Sequence, residues 1–113
     1  MKKPEFRSLL NEISTSLLSL TESKGQEYSN SSESQTANFD RHAKALGLPP
    51  EAILMVYLSK HIDSIQCYVR HLQGKAGYVS SEPIEGRISD AILYLCLLRA
   101  MVEDRKGTVS HTP

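Results

Sequence analysis

The chain of 113 residues has no tryptophan, two phenylalanines, two cysteines and no net charge, with thirteen basic residues against thirteen acidic ones. Each shortage excludes something. Without a basic excess, the chain does not read as a protein that coats long nucleic acid, although a local pocket of two or three cations remains open to it. Two cysteines, Cys67 and Cys96, lie inside helical patterns without metal-ligand spacing, so they read as small buried or half-buried thiols in a reducing compartment. No apolar run reaches the length of a membrane span, and the polar-interrupted start "MKKPEFRSLLNEISTSLLSL" is not a secretory signal. These absences point to a cytoplasmic chain with no membrane partner. Near-zero net charge also removes a repulsion that keeps copies apart, so self-association is expected.

Apolar residues recur at helical spacing, and no segment alternates as a strand would. Phe6, Leu9, Leu10, Ile13, Leu17, Leu18 and Leu20 mark a first helix over residues 4–23, with Pro4 in its first turn. The polar segment 24–36 follows and reads as a flexible loop. A short helix near residues 38–46 ends at Gly47. A third helix opens on Pro49 and Pro50 and closes at Gly74, with Leu54, Leu58, Ile62, Ile65, Val69 and Leu72 on its expected core face. A second loop leads to a last helix from about Pro83 to Asp104, and residues 105–113 read as a frayed tail. This last helix is apolar nearly all round, which suits a central helix or one covered by a second subunit. The expectation is a single all-α domain over residues 1–113: a bundle of three long helices and one short one, oligomeric through the C-terminal helix.

The polar residues worth weighing stand at helix starts and edges. Ser81 suits a cap for the last helix, and Glu82 and Glu85 suit its first turn. Arg87, Asp90 and Tyr94 share one face of a helix with few solvated faces, so they line a site, a subunit contact or a structural ion pair. Lys60 and His61 flank the core stripe of the third helix, where "KHIDS" can face the start of the last helix. Lys24 offers a point charge to phosphate, and Tyr28 and Phe39, with Asn38 beside it, offer faces on which a base can stack. The histidines and cysteines have no zinc spacing, and neither a nucleophile elbow nor a phosphate-cradling glycine loop is present.

The series "KGQEYS", "NF", "YLSKHIDSI" and "EPIEGRISDAILYL" resembles small all-α phage and prophage proteins of the nucleotide-modification-associated domain family. Lys24 and Tyr28 match that family's first motif, Lys60 its mid-chain lysine helix, and Asp90 with Tyr94 its last. Leu93 stands where the family has asparagine. The resemblance implies an intracellular, phage-linked protein concerned with nucleotides, without fixing an activity. With the residues above it favours a module that binds a nucleotide or nucleotide-derived signal, without a cofactor, and sequesters it against host defence. The ligand site expected from it and from the residues together is Lys24, Tyr28, Asn38, Phe39, Lys60, His61, Arg87, Asp90 and Tyr94. A more distant similarity to all-α nucleotide pyrophosphatases of the MazG kind implies a magnesium-dependent alternative, with Glu82, Glu85, Asp90 and Asp63 as metal ligands. That alternative lacks the second acidic pair on a later helix. A helical surface for a protein partner is the third reading.

Overall fold

The computed structural model describes residues 1–29, 34–75 and 82–110, and for residues 23–29 and 108–110 the backbone alone. Every regular element among the described residues is helical: α1 Lys3–Ser29, α2 Ala37–Leu46, α3 Pro50–Leu72 and α4 Ile84–Ser110. None of these helices is long and apolar enough to cross a membrane. By contact the chain divides into two compact units, Met1–Asn38 and Phe39–Pro113.

The first unit holds α1. Phe6, Leu10 and Leu18 are exposed on it, and Leu9, Ile13, Leu17 and Leu20 are half-buried. The helix runs six residues past its expected end at Ser23, so residues 24–29 are helical where the sequence reads as loop. Lys24, Gln26 and Glu27 are good helix formers, and Gly25 alone costs only about 1 kcal/mol relative to alanine. The side chains of Lys24 and Tyr28, and the remainder of that loop at residues 30–33, lie outside the described residues.

The second unit is an all-α bundle in which α3 and α4 pack along each other. Two contacts set their direction. Glu51 at the start of α3 meets Arg105 near the end of α4, and His61 in mid-α3 meets Asp90 near the start of α4. The two helices are therefore antiparallel. Their boundaries follow from local chemistry. Pro49 in extended conformation and Pro50 in the first turn start α3, where a missing backbone N–H costs nothing. At its end the Gly74 N–H donates to the His71 carbonyl and the Lys75 N–H to the Arg70 carbonyl, with Gly74 at φ 75°. This left-handed turn satisfies carbonyls that a helix end leaves open. Gly47, at φ 69°, ends α2 in the same way, and the Leu48 N–H donates to the Ala43 carbonyl.

The core joins Ile53, Leu54 and Leu58 of α3 to Ala91, Leu93, Tyr94, Leu97 and Met101 of α4, with Phe39 and Ala43 of α2. Leu54 is wholly buried. The expected core stripe of α3 holds for Leu54 and Leu58 and in part for Ile65, but Ile62, Val69 and Leu72 are exposed. Ile62 and Val69 stand a quarter turn from the line that meets α4, and Leu72 lies on that line at the helix end. On α4, likewise, Ile88, Leu95 and Val102 remain exposed although the helix is apolar nearly all round. Cys67 is half-buried and Cys96 exposed, both as free thiols, so Cys96 is not the buried thiol expected of it.

Beyond Asp104, α4 continues to Ser110, where a frayed tail was expected from residue 105. Ion pairs hold this end: Arg99 Nε donates to Glu103 Oε1 at 2.6 Å, Lys106 Nζ lies 3.5 Å from the same oxygen, and Arg105 donates from Nε and Nη2, one edge of its guanidinium, to the two carboxylate oxygens of Glu51. The hydrogen bond from Arg105 holds the Glu51 carboxyl down at about 2, against an ordinary 4.5. Residues 111–113 and Ser81, the expected cap of α4, lie outside the described residues.

Candidate functional site

Three helices of the second unit bring aromatic and charged side chains to one place. Phe39 enters from the first turns of α2, and Tyr57, Lys60 and His61 come from a single turn of α3. Asp90 and Tyr94 come from the facing turn of α4. Residues three and four apart on a helix are neighbours, so "YLSKH" sets Tyr57, Lys60 and His61 together, as "DAILY" sets Asp90 beside Tyr94. The antiparallel packing of α3 on α4 then does the rest.

Tyr94 is the centre, 5% exposed. Its ring lies parallel to that of Tyr57, with centroids 6.2 Å apart and planes within 3°. Phe39 stands edge-on to both, 5.8 Å from Tyr57 and 6.3 Å from Tyr94, each at 82°. His61 completes the ring of contacts at 5.2 Å from Tyr94. Offset-parallel and edge-to-face arrangements are the ones that ring quadrupoles favour. The cluster is not sealed: Tyr57 is 39% exposed, and Lys60 Nζ lies over its ring at 5.6 Å from the centroid. An aromatic face and an exposed cation thus meet at the surface, against the buried rings of Tyr94 and Phe39.

Beneath them, His61 Nδ1 stands 3.8 Å from Asp90 Oδ2, the two side chains being 17% and 23% exposed. That separation is beyond hydrogen-bond reach. His61 Nδ1 is buried and makes no hydrogen bond within the described structure. The imidazole and carboxylate therefore stand close without a hydrogen bond between them. One turn earlier on α4, Arg87 reaches Glu82 at 3.2 Å.

Of the expected ligand residues, the structure brings Phe39, Lys60, His61, Asp90 and Tyr94 into this cluster, with Arg87 one turn away on α4. Asn38 is half-buried immediately before Phe39, in the other unit. Lys24 and Tyr28 have no described side chains. The expectation that "KHIDS" faces the start of the last helix is met by His61, whereas Lys60 sits over Tyr57. Tyr57 itself was missed, although its place three residues before Lys60 and four before His61 was readable as a shared face. The carboxylates of the magnesium alternative are not assembled: Glu82 is drawn to Arg87 and Asp90 to His61, while Asp63 and Glu85 are exposed. Among the described residues no three histidine, cysteine, aspartate or glutamate side chains converge so as to hold a metal ion.

No family model matches the chain, and no curated protein and no solved structure matches it.

Proposed function

We propose that the protein is a binding module for a nucleotide or nucleotide-derived signal, which it sequesters without breaking a bond. One observation carries the reading: a half-exposed tyrosine face backed by the buried rings of Phe39 and Tyr94, with a lysine ammonium above it. A base stacks on Tyr57, at roughly 1–3 kcal/mol for such a contact. Lys60 swings from the ring to a phosphate, for which it is a compact point charge. Phe39 and Tyr94 hold Tyr57 in place. His61 and Asp90 supply polar edges for the base or sugar. Of the residues that carry the resemblance to the nucleotide-modification-associated domain family, Lys60, Asp90 and Tyr94 lie in this cluster, which suits the same ligand class. In this reading the protein is a cytoplasmic, phage-type homo-oligomer, its copies meeting through α4, that blunts a host defence by withdrawing its signal.

The carboxylate geometry favours binding over turnover. A magnesium-dependent pyrophosphohydrolase holds its cations with several carboxylate oxygens at once, and among the described residues no three acidic, histidine or cysteine side chains converge in that way.

A thermal-shift panel of mono- and triphosphates, cyclic dinucleotides, cyclic oligonucleotides and ADP-ribose derivatives, with and without magnesium, tests the proposal. A ligand at 100 times its dissociation constant stabilises the fold by about 2.7 kcal/mol. The expected result is a metal-independent shift with one ligand class, recovered intact, and lost in Lys60→Ala and Tyr57→Ala. A magnesium-dependent shift with release of pyrophosphate replaces sequestration with hydrolysis. No shift with any nucleotide overturns the reading and leaves a surface for a protein partner.

A further inference from the structure

The α3–α4 hairpin has two sides, and only one is covered within the second unit. On the first, Phe39 of α2 lies against Tyr57 and Tyr94. On the second, Met55, Ile62 and Val69 of α3 and Ile88, Leu95 and Val102 of α4 are 37–50% exposed. Within each set the residues are seven apart, and an α-helix drifts only about 20° over that interval. Each set is therefore a straight stripe along its helix. On α3 the stripe stands about a quarter turn from the buried line of Leu54 and Leu58, and on α4 about a quarter turn from that of Tyr94 and Met101. The rotational sense is the same on both helices. Because the helices are antiparallel, equal senses bring the two stripes to the same side of the hairpin, opposite α2.

We propose that this two-helix face is where a second copy of the chain docks, face to face about a two-fold axis, so that two hairpins complete a four-helix core. Three observations select that occupant. The first is the spacing: paired seven-residue stripes on antiparallel helices are the surface that another antiparallel pair packs into, knobs into holes. The second is area. The six side chains expose roughly 500 Å² of apolar surface, near the top of the range for a monomer's largest patch. That is more than half of the about 800 Å² per partner of a standard interface, the rest falling to the flanking residues. The third is charge. Ser59 and Gln66 flank the α3 stripe, and on α4 the flank carries Ile92, Arg99 and Lys106, both cations lying against the Glu103 carboxylate. An apolar centre whose few rim charges are paired meets its own copy with little repulsion. The inference sharpens the homo-oligomer part of the proposed function: α3 supplies half of the surface, and α4 alone is not the interface. It is independent of the ligand, so a failure of nucleotide binding and a failure of dimerisation are separately visible.

The test is the mass of the full chain in solution, by light scattering on a sizing column over a range of concentrations. The set is the wild type, Ile62→Glu, Leu95→Glu and Leu10→Glu, the last on the exposed face of α1. The wild type is expected as a dimer. Ile62→Glu and Leu95→Glu are each expected to raise the dimer dissociation constant at least 100-fold, about 2.8 kcal/mol at 1.4 kcal/mol per decade. Leu10→Glu is expected to leave it unchanged. Both face substitutions are at exposed positions, so the circular dichroism of the monomers should match that of the wild type. A wild type that stays monomeric overturns the proposal whatever the variants do. So does a dimer that survives Leu95→Glu, or one that is lost in Leu10→Glu alone.

Discussion

Replacing Tyr94 by alanine should be the most damaging single change in the second unit. Its ring is almost wholly buried and touches Phe39, Tyr57 and His61. Truncating a buried aromatic costs about 3–5 kcal/mol, from lost burial and the cavity left behind. Phe39 and Tyr57 come from different helices and cannot both move in to fill the space, so the cost should fall in the upper half of that range. Each aromatic pair adds about 0.5–1.5 kcal/mol beyond burial. A chain of this size has on the order of 5–15 kcal/mol in total, so the variant is left with a fraction of its stability. Urea unfolding followed by far-ultraviolet circular dichroism reads the loss directly. Protein concentration must be held constant, because self-association adds to apparent stability. Tyr57→Ala should cost less, since its ring is already half in water. The double variant should lose about 0.5–1.5 kcal/mol less than the sum of the single variants, the signature of contacting side chains. A Tyr94→Ala loss below about 1 kcal/mol would refute the reasoning, because the ring would then not be the centre of the packed unit.

Two further outcomes follow from the helix ends. Glu51 has its carboxyl lowered in the folded chain to about 2 from 4.5, so the unfolded chain takes up that proton first. The stability it contributes is present above pH 4.5 and is lost as the pH falls towards 2. Unfolding midpoints measured across that window should fall more steeply for the wild type than for Glu51→Gln; parallel curves would remove the Arg105 contact from the account. Gly74→Ala should destabilise by about 1–2 kcal/mol, read as a lower urea midpoint, because φ of 75° is costly for any residue with a Cβ. Nothing lies within 4 Å of where that Cβ would sit, so the whole cost is backbone conformation, and Gly74→Asn should recover part of it.

The helices were legible because their punctuation is local. Pro49–Pro50 starts α3, and Gly47 and Gly74 close helices in the conformation that glycine permits. The ends of α1 and α4 were not legible. A run such as "KGQEYS" is polar enough to be loop and helical enough to be helix, and on α4 the decision rests on a bond from Arg105 to Glu51, fifty-four residues away. The same limit applies to the site. Lys60, His61, Asp90 and Tyr94 could be picked out as polar or aromatic groups beside a core stripe. That His61 meets Asp90, and that Lys60 lies over Tyr57, depends on the register of one helix against another, which no window of sequence contains. The core face of α3 was misjudged at Ile62 and Val69 for a related reason: periodicity shows that a stripe is apolar but not which part of it another helix covers.

The parallel stack of Tyr57 on Tyr94 has a spectroscopic consequence. With no tryptophan in the chain, its near-ultraviolet emission and dichroism come from five tyrosines and two phenylalanines. Two of those tyrosines and one phenylalanine are locked in the cluster. Whatever settles on Tyr57 changes the polarity and the electronic coupling of these chromophores at once. The molecule carries its own optical probe at the place where the chemistry of recognition is proposed, and occupancy can be followed without attaching a dye.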